Sequence, residues 1–83
     1  MKIFVEYDAN CWSLANELVA SVPFYWCGKN VKSITIELIK GMYYNIAIET
    51  DSDTYNLNYY SFESDAMIVE SIINYIENFT LRD

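Results

Sequence analysis

Ile3, Val5 and Tyr7 alternate with Lys2, Phe4 and Glu6, a period of two that predicts a short opening strand. It hands over to a helix near Asp8 or Asn10, both residue types that cap helix N-termini well. In "ANCWSLANELVASV" the residues Trp12, Ala15, Leu18, Val19 and Val22 recur at spacings of three and four, one apolar face of a helix. That helix must stop near Ser21, because Pro23 disfavours helical geometry at Val22. "PFYWCGKN" follows as a connection whose three consecutive aromatics would plug the open end of the core or stand out as an anchor for a partner.

Three further strands read from the same alternation. In "VKSITIELIK" the shared apolar face is Ile34, Ile36 and Leu38; in "MYYNIAIET" it is Tyr44, Ile46 and Ile48; in "TYNLNYY" it is Tyr55, Leu57 and Tyr59. Pairing Ile48 with Tyr55, Ile46 with Leu57 and Tyr44 with Tyr59 keeps a constant residue sum and leaves residues 50 to 53 as the hairpin loop. Around Lys40 and Gly41 a two-residue turn would set the apolar faces out of phase, so a three-residue loop or a bulge is required. The last segment, "SDAMIVESIINYIENF", reads as a helix capped by Ser64 or Ser61, with Ile68, Val69, Ile72, Ile73, Ile76 and Phe79 as its stripe. The expected fold is a two-layer α+β domain of order β-α-β-β-β-α. Its sheet is antiparallel, of three to four strands, with both helices on one face.

A chain of 83 residues makes one domain spanning 1–83, and its 53% hydrophobic content, with eight Tyr, four Phe and two Trp, is enough for a compact core. No signal-peptide core or membrane-length apolar run is present, so the chain reads as cytoplasmic. Cys11 and Cys27, with no His and no further Cys, cannot complete a zinc site and read as buried, reduced thiols.

Charge changes the picture most. Residues 1 to 40 hold four acids and four lysines, whereas residues 41 to 83 hold eight acids against Arg82 alone, which accounts for the net −7. Nucleic acid and anionic membrane are thereby disfavoured as direct partners, and a basic protein is favoured. The run "ETDSDTYNLNYYSFESD" concentrates Glu49, Asp51, Asp53, Glu63 and Asp65 with no cation among them. Glu63, Glu70 and Glu77 recur every seven residues on one side of the last helix, with Asn74 between, a ridge with steps of about 10 Å. Each acid also has a purely structural role open to it: Asp51 and Asp53 as turn residues bonding nearby N–H groups, Glu63 and Asp65 at the positive end of the last helix, Glu70 and Glu77 as solvent-facing positions. A calcium loop begun at Asp51 or at Glu49 lacks the turn glycine and the final glutamate, so no metal is expected.

The outward sheet face would place Glu37, Asn45 and Asn58 in one row, Thr35, Ala47 and Asn56 in the next, and Tyr43 near Tyr60. Such a surface is plainly solvated or suited to a partner. Without histidine, no Ser-His or Cys-His pair exists, and with only Gly28 and Gly41 neither a P-loop nor a dinucleotide fingerprint can be written. The chain is therefore expected to be no enzyme and to need no cofactor.

Helix, three-strand meander and helix is also the order of double-stranded-RNA-binding domains, but where those carry a basic cluster this chain has Glu63, Ser64 and Asp65, which rejects RNA binding by that route. The same order, an acidic surface and a last helix beginning "ESDAMIVESI" resemble the small acidic anti-CRISPR proteins of phages, in organisation over most of the chain. The resemblance implies a phage-encoded inhibitor acting in the bacterial host cytosol, its carboxylates standing where phosphates would lie. Its partner would be a basic nuclease or defence complex, met through Glu49, Asp51, Asp53, Glu63, Asp65, Glu70, Asn74, Glu77, Tyr43 and Tyr60. An immunity or antitoxin protein for a basic toxin, and a homo-oligomeric accessory protein, are the other readings; a homodimer is compatible with the sequence.

Overall fold

The computed structural model describes residues 3–26 and 28–81, the side chains of 79–81 excepted. Phe79's place in the apolar stripe and the state of Cys27 lie outside the described residues. Strand β1 (Phe4–Tyr7) leads through a 3-10 turn (Ala9–Cys11) into helix α1 (Trp12–Ser21). The short strand β2 (Tyr25–Trp26), then β3 (Lys29–Ile39), β4 (Tyr43–Thr50) and β5 (Thr54–Tyr60), follow, and helix α2 (Asp65–Leu81) closes the order.

The sheet is mixed and five-stranded, ordered β1-β3-β4-β5 with β2 pairing β3. This corrects the wholly antiparallel sheet read from the pattern. β1 runs parallel to β3, Val5 beside Ile34 and Tyr7 beside Ile36. The physical reason is the helix between them: α1 carries the chain back across the sheet, so the next long strand starts from the same end, as parallel pairing requires. The missed strand, β2, is a two-residue antiparallel extension, Tyr25 opposite Asn30 and Trp26 opposite Lys29. Asp8 does not cap the helix. Its N–H donates to the Ile36 carbonyl (3.2 Å) and its carboxylate accepts the Leu38 N–H (3.0 Å), prolonging the β1–β3 seam.

The β3-β4-β5 meander follows the sequence reading. Ile34, Ile36 and Leu38 face Ile48, Ile46 and Tyr44, which in turn face Tyr55, Leu57 and Tyr59. The first hairpin closes with the three-residue loop Lys40, Gly41 and Met42, because Ile39 is opposite Tyr43. Lys40 (φ 53°) and Gly41 (φ 67°) both take left-handed backbone there. A Cβ at Gly41 would meet nothing within 4 Å, so Gly41→Ala tests conformation alone. It should destabilise the domain by about 1–2 kcal/mol, read as a lower urea midpoint with an unchanged slope.

One core lies between the sheet and the two helices. Ile34, Ile36, Ile46, Ile48, Tyr55 and Leu57 from the sheet join Leu14, Leu18, Ile68, Val69, Ile72 and Ile76 from the helices in a single buried cluster. On α2 the stripe is as the spacing predicts. On α1 the face is rotated: Cys11, Leu14, Ala15, Leu18 and Val22 are buried, whereas Trp12 is 60% and Val19 45% exposed. Apolar residues at 11, 12, 14, 15, 18, 19 and 22 span too wide an arc for spacing to choose the edge of the stripe, and contact with α2 decides it. Val22 leaves the helix in an extended conformation before Pro23 (φ −93°, ψ 114°), its N–H closing on Leu18 O at 2.8 Å. Ser64 is the cap of α2, its Oγ accepting the Met67 N–H at 3.2 Å. Among the described residues no helix is long and apolar enough to cross a membrane.

Three acidic groups inside or beside this core are raised above their ordinary values by the fold. Burial, with Asp8 and then Asp65 nearby, pushes the Cys11 thiol up, although a backbone hydrogen bond from the Asp8 region works the other way. Burial likewise raises the Tyr44 and Tyr59 phenols, assisted by Asp65 at Tyr44 and by Glu63 at Tyr59. A group that ionises later in the folded chain than in the unfolded one withdraws stability as pH climbs from its ordinary value toward its raised one. Stability should therefore hold through neutral pH and decline from about pH 8.5 upward, steepening near about 10. A melting-temperature series from pH 7 to about 11 checks it; a flat profile across the alkaline limb would contradict it.

Candidate partner-binding surfaces

The acids singled out in the sequence fall into two groups. The first is tied into the fold. Asp53 forms an ion pair with Lys29, the one such pair among the described residues, and also accepts from Ser52 Oγ at 3.3 Å. That corrects the reading of this run as unanswered charge, since a lysine distant in sequence answers it. The hydrogen bond from Lys29 holds the Asp53 carboxyl below its ordinary value. Its stabilising contribution is present above the ordinary aspartate range and fades as pH falls through the lowered value; solvent screening keeps it small. Asp51 accepts from Asn30 Nδ2 at 3.3 Å, and its N–H donates to Asn30 O at 3.1 Å.

Neither aspartate ties its own turn to the backbone as expected. The buried Thr50 does: its Oγ1 accepts from Ser52 N–H (3.3 Å) and Asp53 N–H (2.9 Å), and it donates to Asp53 O (3.1 Å). A threonine can serve here because one hydroxyl both donates and accepts, which a carboxylate cannot. Asp65 opens α2 and accepts from Ser13 Oγ of α1 at 2.7 Å, fastening the two helices where the α2 dipole favours its charge. Glu63 lies before the helix, not on it, and its Oε2 accepts the Tyr60 N–H at 3.2 Å. The ridge of three glutamates is thus shortened to two: Glu63 folds back on the β5–α2 turn.

The second group faces solvent. Glu70, Asn74 and Glu77 are exposed on the side of α2 opposite the buried Ile68, Ile72 and Ile76. Glu49 is exposed on the helix-free face of the sheet. None of these three glutamates pairs with a cation among the described residues. Of the acids singled out in the sequence, these can meet another molecule without first breaking a bond of the fold.

Neither a known protein family, nor a curated protein, nor a solved structure matches the chain. Its function must be argued from these surfaces.

The helix-free face carries the rows expected of it: Glu37, Asn45 and Asn58 in register, then Thr35, Ala47 and Asn56, with Tyr43 opposite Tyr60. At the Tyr43–Tyr60 end a shallow groove of about 440 Å³ is lined by Tyr43, Asn58, Tyr59 and Tyr60. Tyr60 is 60% and Phe62 75% exposed, their rings 5.2 Å apart, and Met42 is exposed in the neighbouring loop. Phe62 and Met42 were missed by sequence reasoning. Their signal was present, since a large apolar residue inside a turn has no inward side to occupy. In the 23–28 connection the half-buried Trp26 packs on the core, as the plug reading expects, while Tyr25 is 64% exposed.

Proposed function

We propose that this chain is a non-enzymatic acidic inhibitor that docks on the basic nucleic-acid site of a nucleic-acid-handling protein and keeps nucleic acid out, in the manner of the phage anti-CRISPR proteins it resembles, acting in the host cytosol. The observation that carries the reading is the solvent-facing side of α2. Glu70 and Glu77 stand two helical turns apart, about 10 Å, with the amide of Asn74 between them. The fold gives them no cation among the described residues. A chain of net −7 whose excess lies in its second half attracts basic surfaces over about a Debye length. Carboxylates unencumbered by internal bonds accept from Arg and Lys as phosphate oxygens do. The extended helix face and open sheet suit a convex filler of a groove better than a cleft for a small substrate.

The test is capture from a bacterial lysate at low and high salt, followed by a nucleic-acid competition assay on the purified captured protein. The expected result is a basic protein, released by salt, whose nucleic-acid binding falls as the chain is added. A captured protein that binds the chain and its nucleic acid simultaneously would overturn the proposal.

A further inference from the structure

In an antiparallel ladder, facing residues alternate between pairs that exchange both hydrogen bonds and pairs whose N–H and C=O point away. On β5 this phase is fixed at both ends: Thr50 donates its N–H to Asp53 O, and Ser61 donates its N–H to Met42 O, each at 2.8 Å. Through the unbroken register between them, Tyr55, Leu57 and Tyr59 bond toward β4. Thr54, Asn56, Asn58 and Tyr60 therefore aim their backbone groups at the free side of the sheet. Tyr60 is already served there, its N–H by Glu63 Oε2 and its carbonyl by the Glu63 N–H, each at 3.2 Å. Thr54, Asn56 and Asn58 remain, their outward N–H and C=O groups unmatched by any described residue.

Edge strands are normally guarded by lysine, proline or a bulge. β5 has none of these, and its register with β4 is regular throughout. It is also the one strand longer than two residues without a charged side chain, since β1 has Glu6, β3 has Lys29, Lys32 and Glu37, and β4 has Glu49. A basic peptide would find no carboxylate along it. Two copies of a chain of net −7 repel overall, and a line without charged side chains is where pairing adds no local repulsion to that. Of the acids at its ends, Asp53 is drawn onto Lys29, and Glu63 closes the Tyr60 end of the edge by accepting the Tyr60 N–H.

We propose that β5 is the seam of a two-fold dimer, pairing antiparallel with β5 of a second copy about an axis at Asn56. This register sets Asn56 opposite its symmetry mate and Thr54 opposite Asn58 of the other copy, and every outward backbone group left over on β5 is satisfied. An axis at Leu57 would use only Asn56 and Asn58, because Tyr60 is occupied. On the helix-free face, amide meets amide and hydroxyl meets amide, combinations in which each member can both donate and accept. On the helix side Tyr55 meets Leu57 of the other copy.

Sedimentation velocity on the full chain across a dilution series tests this. The expected result is twice the chain mass at high concentration, falling to one chain mass on dilution. Asn56→Lys and Asn58→Lys should each hold the protein monomeric with an unchanged far-UV spectrum. Should either variant fail to fold, amide exchange of the wild type gives the answer: the Thr54, Asn56 and Asn58 N–H groups should be protected at high concentration and exchange freely when dilute. Wild-type monomer at every concentration, a dimer that survives in both folded lysine variants, or outward amides unprotected at every concentration would overturn the proposal. The Glu70→Gln/Glu77→Gln variant should dimerise as the wild type does, so the seam stands or falls apart from the acidic helix; loss of the dimer in that variant alone would also count against it.

Discussion

Ile46→Ala should lower the stability of this domain by about 2–5 kcal/mol, the range for emptying a fully buried branched side chain when the surroundings close only partly. Ile46 lies on β4 between Ile36 and Leu57, and all three belong to the single core cluster beneath the helices. At about 0.05–0.15 kcal/mol per residue, the total stability of a chain this size is only about 4–12 kcal/mol. One truncation thus removes a large share of it, and a stability at the lower end would leave the variant unfolded at 37 °C. Chemical denaturation with wild type and variant side by side measures the loss. Asn45→Ala, one residue away on the helix-free face, should change stability by less than about 0.5 kcal/mol. Similar losses at both positions would mean the sheet is covered on both sides.

The second large effect concerns association. Replacing Glu49, Glu70 and Glu77 together by glutamine removes three exposed charges that the fold does not use. The variant should melt at or slightly above the wild-type temperature, because like charges no longer repel. Its association rate with a basic partner should fall about tenfold at low salt, since steering by net charge acts chiefly on encounter. The gap between variant and wild type should close as ionic strength approaches about 1 M, where charges beyond about 3 Å no longer sense one another. Stopped-flow mixing at several salt concentrations reads both quantities; equal rates at low salt would remove the acidic helix from the binding mechanism. Asp51 and Asp53 are unsuitable for this test. Changing them loosens the contacts to Asn30 and Lys29, and a loss of binding would confuse charge with turn geometry.

What could be read in the sequence was what depends on local period. The β4–β5 register followed from one constant sum, because a single-residue slip would turn Ile46, Ile48, Tyr55 and Leu57 out of the core together. The α2 stripe was equally legible, because Ile68, Val69, Ile72, Ile73 and Ile76 recur at spacings of three and four and all pack on the core. The parallel β1–β3 pairing was a matter of topology, not period: Ile3, Val5 and Tyr7 alternate in the same way whichever direction the neighbouring strand runs. β2 was too short to have a period at all. For the acidic residues, sequence located the charge and not its answer, since Lys29 reaches Asp53 and Ser13 reaches Asp65 only once the chain is folded. The edge groups of Thr54, Asn56 and Asn58 were legible in principle from the register, but their freedom depends on nothing lying beside β5.

The parallel seam between β1 and β3 has a kinetic consequence. The β3-β4-β5 meander joins strands that are neighbours in sequence, so its hairpins can zip within microseconds of collapse. β1 must wait for α1 and the aromatic connection to be traversed before Val5 finds Ile34, and closing that longer loop costs entropy that only the finished seam returns. β1 should thus be the last to join the sheet in folding and the first to leave it in a partial opening. In such an opening the β1-facing edge of β3 is bared while the meander and α2 stay intact, so transient exposure in the native state is concentrated on the side of the sheet opposite β5.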